Sequence, residues 1–298
     1  MDYDEFGMLA DNAAEVGLPF TRPVVERRSV RVAPGQDLSA LVWGSGDPEL
    51  VLIHGGAQNA HTYDTVALAL GRPLLVVDLP GHGHSGWRDD GDYGPVANAE
   101  AVATAIAELA PNAAAVLGMS LGGLTATVLA ARHPDLVRKA IIVDVTPGTD
   151  HAKAAPIVSF IDGPETFASF DEILERTILF NPTRSEASLR RGVLHNAHAR
   201  EDGLWTWRYD RLDRVRKQAT EEGVVDFSEL WDDVSAMSCP ILLVRGGTSE
   251  VVGDEDVVEW LRRQPDTEVV VVEGSGHSVQ GDKPLELAAL IERFAFGA

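Results

Sequence analysis

Ala113-Ala-Ala-Val-Leu-Gly-Met-Ser-Leu-Gly-Gly-Leu-Thr-Ala-Thr-Val-Leu-Ala-Ala-Arg-His133 is the stretch from which the fold of this chain is read. Its first part, Ala113 to Leu117, is an uninterrupted apolar run, the pattern of a strand buried on both faces. Leu124 to Ala131 has the composition of a helix packed behind that strand. Between them, Gly118-Met-Ser-Leu-Gly122 must turn strand into helix within a few residues, which leaves no room for side chains near the bend. Glycines therefore flank it, and the central residue takes strained backbone angles that push the Ser120 hydroxyl into the open. The helix N-terminus that follows offers unpaired amides and a partial positive charge to an oxyanion. Ser120 is the candidate nucleophile.

Composition sets the outer limits. A chain of 298 residues that is 45% hydrophobic and 24% charged can build one large α/β domain with an insertion, or two modest domains, and is too apolar for extended disorder. No apolar run reaches the length that spans a bilayer, and Met1-Asp-Tyr-Asp-Glu5 is acidic where a secretory leader is basic, so a cytoplasmic protein is expected. Cys239 is the single cysteine, which excludes an intramolecular disulfide; it reads as buried filler ahead of a strand. A net charge of -21 works against nucleic acid and anionic membrane surfaces and leaves a small-molecule substrate, partly apolar to suit the Phe and Trp residues scattered in the second half of the chain, as the expected partner.

Outward from the central stretch, strand and helix signals alternate. Residues 1–23 form an N-terminal arm without a clean period, and Val24 to Val32 and Leu38 to Trp43 read as antiparallel strands joined at Pro34-Gly35. Leu50 to Ile53, Pro73 to Val77 and Lys139 to Val143 are apolar strands, with helices at Thr62 to Leu70 and Pro95 to Leu109. The alternation resumes with the strand Ile241 to Val244, a helix at Glu255 to Arg263, the strand Glu268 to Val272 and a closing helix from Leu285 to Phe296. The fold class is α/β: a mostly parallel central sheet, with helices on both faces, formed by 24–146 and 238–298. The rhythm breaks over 147–237, where helical patterns and scattered aromatics such as Phe160, Phe170 and Trp207 read as an inserted helical cap.

Four local motifs then carry a resemblance. His54-Gly-Gly56 follows an early strand, Asp78-Leu-Pro-Gly-His-Gly-His-Ser85 follows the next, Ser120 sits at the elbow, and Gly274-Ser-Gly-His277 follows the last strand. Their order and spacing resemble the α/β-hydrolase superfamily over nearly the whole chain from Val24 onward. The resemblance implies that His277 is the general base and that the backbone amides of Gly56 and Leu121 form the oxyanion hole. His54 is expected to brace its loop.

The acid of the triad departs from the commonest form. The family usually places an aspartate in the loop after the strand that follows the cap, here Arg245 to Val252, and that loop holds Glu250. Neighbouring strands place their C-terminal loops side by side, so Glu250 is expected to reach His277 and hold its imidazole. The alternative acid is Asp144, one strand earlier, which otherwise would brace the turn at Thr146 to Gly148.

The function implied is a cofactor-free serine hydrolase that cleaves a carboxylic ester or related acyl compound through an acyl-enzyme. One alternative is a carbon-carbon bond hydrolase of ring-cleavage products; it needs an arginine facing the site, for which Arg184, Arg190 and Arg191 are candidates. The other is a small-molecule binding protein without catalysis. Arg190, His195 (beside Asn196) and Trp207 are the candidate pocket residues. His82 with His84 and His195 with His198 lack a third ligand nearby, so no metal is expected.

Overall fold

The computed structural model describes residues 3–149, 151–161, 163–211 and 226–297. The chain begins with helix α1 (Leu9–Glu15), followed by a hairpin of strands β1 (Val25–Ala33) and β2 (Gln36–Trp43), whose turn places Gly35 at φ 76°. Strand β3 (Leu50–Ile53), helix α2 (Asp64–Leu70), strand β4 (Leu74–Val77) and helix α3 (Pro95–Leu109) come next. Pro95 sits in the first turn of α3, where its missing amide costs no hydrogen bond. The central stretch forms strand β5 (Ala115–Met119) and helix α4 (Leu121–Arg132), and leads to strand β6 (Ala140–Val143).

After β6 the chain departs from the sheet. Helix α5 (His151–Ile161), strand β7 (Thr166–Phe167), helices α6 (Phe170–Phe180) and α7 (Glu186–Asn196), and strands β8 (Ala197–Ala199) and β9 (Trp205–Trp207) form the insertion. Helix α8 (Leu230–Ala236) brings the chain back to strand β10 (Ile241–Gly246), helix α9 (Asp254–Arg263), strand β11 (Glu268–Val272) and helices α10 (Val279–Asp282) and α11 (Pro284–Phe296).

The eight-stranded sheet runs β1-β2-β4-β3-β5-β6-β10-β11. β2 is antiparallel to both β1 and β4, and the remaining pairs are parallel. Every residue of β3, β4, β5 and β6 is buried, as expected of strands covered on both faces. One face packs against α3, α4 and α9 through residues such as Ile106, Leu129 and Trp260. The other packs against α2 and α11 through Val66, Leu287 and Ile291.

The insertion has a core of its own, in which Phe167, Phe170, Ile173, Val193, Trp207 and Tyr209 are buried together. Two features differ from the expected helical cap over 147–237. A three-stranded antiparallel sheet, β7-β9-β8, is present, made of strands too short to leave a period in the sequence. Helix α8 buries Leu230 and Val234 in the main core, where Arg132 of α4 also pairs with Asp233, so it belongs with the layer beneath and not with the insertion. Residues 150, 162 and 212–225 of the expected cap lie outside the described residues.

The junction of β5 and α4 depends on two glycines. A Cβ at Gly118 would lie 2.0 Å from the Gly122 carbonyl oxygen, and one at Gly122 would lie 2.4 Å from the Ile53 oxygen and 2.5 Å from that of His54. The first turn of α4 therefore sits directly on backbone, with no flexible side chain to yield. Gly122→Ala is expected to cost at least about 3 kcal/mol, at the upper end for overpacking, because the obstacle is main chain on both sides. Urea unfolding of the variant checks this, and a loss below about 1 kcal/mol would mean that the junction relaxes.

Candidate active site

Ala57, Ser120 and Asp144 are the non-glycine residues with positive φ among the described residues, at 59°, 52° and 50°. They follow the ends of β3, β5 and β6, which are adjacent in the sheet. Each such conformation costs about 1–3 kcal/mol and persists only where the surroundings enforce it, so their convergence at one sheet edge marks a site.

At the elbow, the Ser120 amide donates to the Val143 oxygen at 3.0 Å, and the Ser120 carbonyl accepts from the amides of Gly123 and Leu124. The backbone is thereby fixed on both sides of the residue. The side chain faces a cavity of about 530 Å³, which also holds Gly56, His277, Trp207 and Arg184. The hydroxyl makes no hydrogen bond to any described residue.

Gly56 and Leu121 meet here: a Cβ on Gly56 would lie 3.9 Å from Leu121 Cδ2. The neighbouring amides are taken. Gly55 N donates to Gln58 Oε1, Gln58 N to the Gly55 oxygen, and Ala57 N to His82 Nε2. The amides of Gly56 and Leu121 have no acceptor among the described residues, which leaves two donors available to a bound oxygen.

Buried histidines hold this loop. His54 Nε2 accepts from Leu79 N at 2.9 Å, so its proton is on Nδ1, which donates to the Gly55 oxygen at 2.7 Å. His82 accepts from Ala57 N at 3.1 Å and donates through Nδ1 to the Pro80 oxygen. Burial, reinforced by nearby His82, pushes His54 down to about 3, and burial also lowers His82, so both are neutral braces. Asp78 pins the following turn by accepting from the amides of Ala60 and His84 and from Arg27.

His277 arrives from the loop after β11. Its Nδ1 donates to Asp144 Oδ2 at 2.8 Å, and Nε2 is left for the cavity. Asp144 is fully buried and also accepts from Gly246 N at 2.9 Å and from Ser249 Oγ at 2.5 Å. Three donors thus hold the carboxylate in place.

Glu250, the expected partner of the imidazole, is exposed and does not bond to it. The reason lies in register. Val143 is level with Val244, and β10 continues to Gly246, so Asp144 sits beside the end of β10 and reaches across it. The loop beyond is fastened to the histidine loop by Gly247 N to the Val272 oxygen and Thr248 N to the Ser275 oxygen. Ser249 then turns inward to Asp144, and Glu250 points to solvent. Asp144 does not perform the bracing role offered as its alternative; the turn at Thr146 to Gly148 is closed by Thr146 and Thr149 themselves.

The other sequence candidates separate. His195 is buried and lines the cavity, as do Trp207 and Asn196, whose Nδ2 donates to the Ala57 oxygen at 2.7 Å. Arg190 does not reach the cavity; its guanidinium lies over the Phe170 ring on the outer face. Arg191 also lines the cavity but is paired, Nε donating to Asn12 Oδ1 and Nη2 to Glu15 of α1. Cys239 packs against the main core, and burial pushes its thiol up, which keeps it protonated. His84 is exposed while His82 is buried, and His198 lies on β8 away from the cavity lining, so the two members of each pair sit in different surroundings.

One cluster had no signal in the sequence. His61, Asp64 and His195 bring donor atoms within 4.8 Å of one another, all buried. The His61 and His195 rings are stacked at 3.8 Å and 9°, so their in-plane lone pairs do not converge as metal ligands must. Both His61 nitrogens face carboxylates, Asp64 at 3.0 Å and Glu5 at 3.1 Å. Burial opposes the charge, but Asp64 and Glu5 outweigh it and raise His61 to about 9. This donor set fits a protonated imidazolium better than a metal.

The raised His61 fixes the sign of a pH dependence. Its contribution to stability is complete below about pH 6.5, where the unfolded side chain is also charged, and is lost as pH rises through about 9. His54 has the opposite sign, with stability complete above about pH 6.5 and lost toward about 3. Urea midpoints measured from pH 6 to 10 are expected to fall for the native chain and to fall less for His61→Gln. An identical alkaline slope in both would show that His61 carries no extra proton.

The model of the alpha/beta hydrolase family matches residues 50–290. The Mycobacterium tuberculosis esterase Rv0045c is 48% identical over 295 residues, 97% of this chain and 94% of that protein. A solved structure of that esterase, described together with its inhibition by transition metals, has a TM-score of 0.88 at 46% identity and full coverage of both chains. A pimeloyl-[acyl-carrier protein] methyl ester esterase from Aeromonas hydrophila is 30% identical, covering 85% of this chain and 96% of its own. E-2-(acetamidomethylene)succinate hydrolase shares the fold with a TM-score of 0.79 at 22% identity, covering 91% of this chain and 99% of its own. With the matched residues running from β3 into α11, this chain belongs to the alpha/beta hydrolase family.

Proposed function

We propose that the protein is a serine esterase that cleaves a carboxylic ester through an acyl-enzyme, with Ser120 as nucleophile, His277 as base and Asp144 as the acid. The observation that carries this reading is the joining, around one cavity, of an unbonded elbow hydroxyl, an imidazole held by a buried carboxylate and the free amide of Gly56, with the unbonded Leu121 amide next to Ser120 in the chain. Esterases among the relatives support the choice of ester over carbon-carbon bond cleavage.

In this scheme Ser120 Oγ attacks the ester carbonyl while His277 Nε2 takes its proton. Asp144, bonded to Nδ1, fixes the tautomer that leaves Nε2 free to accept and stabilises the imidazolium that forms. The carbonyl oxygen gains charge between the amides of Gly56 and Leu121, at the positive end of α4. Removing one such donor typically costs roughly 3 kcal/mol of transition-state stabilisation. His277 then gives its proton to the departing alcohol, and water repeats the sequence to release the acid and restore Ser120.

The insertion supplies Trp207, His195 and Asn196 to the cavity wall, and we assign it the role of a cap that selects the substrate. The single thiol at Cys239 agrees with a reducing compartment such as the cytoplasm. Among the described residues no helix is long and apolar enough to cross a membrane.

A fluorophosphonate probe is expected to label the native protein at Ser120, and Ser120→Ala to lose both labelling and turnover of p-nitrophenyl esters at an unchanged thermal midpoint. Labelling that survives the substitution would place the nucleophile elsewhere.

A further inference from the structure

Arg184 lies just before α7 and lines the same cavity as Ser120 and His277. Its guanidinium rests against α10, the short helix that follows His277, and fits there because residue 281 is glycine. A Cβ at Gly281 would fall 2.9 Å from Arg184 Cζ and 3.0 Å from Nη1. Sequence and packing together bring a cation from the insertion to the edge of the histidine loop.

What distinguishes this arginine is how little answers it. Nη2 donates to Ser188 Oγ at 2.7 Å, Nε is buried without a partner, and Nη1 makes no hydrogen bond to any described residue. No carboxylate among the described residues forms an ion pair with it. The acids that influence it from a distance are Asp282 and Glu15, and each is engaged: Asp282 accepts from Gly276 N, and Glu15 holds Arg191 and Ser185. Burial lowers its pKa, yet a guanidinium stays charged at any ordinary pH and cannot relieve the cost by losing its proton. A half-buried charge with unmet donors, lining a substrate cavity, is suited to an anion that arrives with the ligand.

We propose that Arg184 receives a carboxylate borne by the substrate, so that the preferred esters are anionic ones, such as monoesters of short dicarboxylic acids. The inference rests on the esterase reading for its substrate, and a guanidinium whose Nη1 is unbonded suits a carboxylate, to which it gives a charge-assisted hydrogen bond. The net charge of -21 repels such a substrate at long range, but that repulsion is screened beyond about 10 Å at 0.1 M salt, whereas the contact inside the cavity is not.

The test has two arms. In the first, kcat/KM is compared for monomethyl succinate, glutarate and adipate against methyl butanoate, pentanoate and hexanoate. The native enzyme is expected to favour the anionic partner of at least one pair by roughly tenfold to a hundredfold, as a charged hydrogen-bonded contact provides. Arg184→Gln should collapse that ratio, and Arg184→Lys should keep part of it through charge alone. A preference for the neutral ester in every pair, or a ratio that Arg184→Gln leaves intact, overturns the inference; so does an equal loss on both classes, which a structural role would give. In the second arm, glutarate is titrated calorimetrically into Ser120→Ala protein, which needs no turnover. Saturable binding that disappears on adding Arg184→Gln supports the inference, and no binding, or binding that persists, refutes it. If no ester is cleaved and Ser120 is not labelled, the esterase reading fails while the titration still decides the role of Arg184.

Discussion

Backbone pressed on backbone at the start of α4 is the constraint from which the site follows. Gly118 and Gly122 allow the first turn of the helix to sit against the ends of β5 and β3 with no side chain between them. The chain makes that approach by turning at Ser120 with φ 52°, and the same turn lifts the hydroxyl off the sheet and brings Leu121 against Gly56. Because β3, β5 and β6 are neighbours, with strands spaced about 4.8 Å apart, the strained residues Ala57, Ser120 and Asp144 are gathered within a small area. Burial of all four central strands supplies the stability against which that strain is held.

Charge is distributed around the site by burial and pairing. His54 and His82 are kept neutral, so the loop bearing the Gly56 amide is braced by hydrogen bonds without bringing a cation under it. Asp144 keeps its carboxylate fully buried by accepting from Gly246, Ser249 and His277 together. On the opposite wall His61 is held charged between Glu5 and Asp64, which ties the N-terminal residues to the body. Arg191 of α7 extends the same tie to α1 through Asn12 and Glu15, linking the insertion to the N-terminal helix. Arg184 is the exception in this scheme, a cation that forms no ion pair with any described residue.

What the sequence revealed and what it hid follow one division. The turn at Ser120 and the placement of Gly56, Leu121 and the loop of His277 after their strands were legible because such geometry is local: glycine spacing and an adjacent apolar run encode a turn wherever it occurs. The partner of His277 was not, because it depends on how far β10 extends past β6. Two further residues on β10, and a loop bonded to the histidine loop at Gly247 and Thr248, carry Glu250 outward and leave Ser249 and Asp144 inside. No periodicity reports such a register. Strands β7 to β9 were hidden by their length, and α8 looked like part of the insertion until the contacts of Leu230 and Val234 placed it in the main core. The His61 cluster unites residues from three distant segments, none of which is distinctive alone.

In the proposed mechanism the hydrogen bond from His277 to Asp144 orients the imidazole that takes the serine proton. Turnover number, measured on an ester hydrolysed by the native enzyme, for Asp144→Asn beside Glu250→Gln tests it most directly. kcat is expected to fall by a factor on the order of 10⁴ in the Asp144 variant, from loss of the useful tautomer, and to stay near the native value in the Glu250 variant. A collapse of kcat in Glu250→Gln with a near-native rate in Asp144→Asn would contradict it.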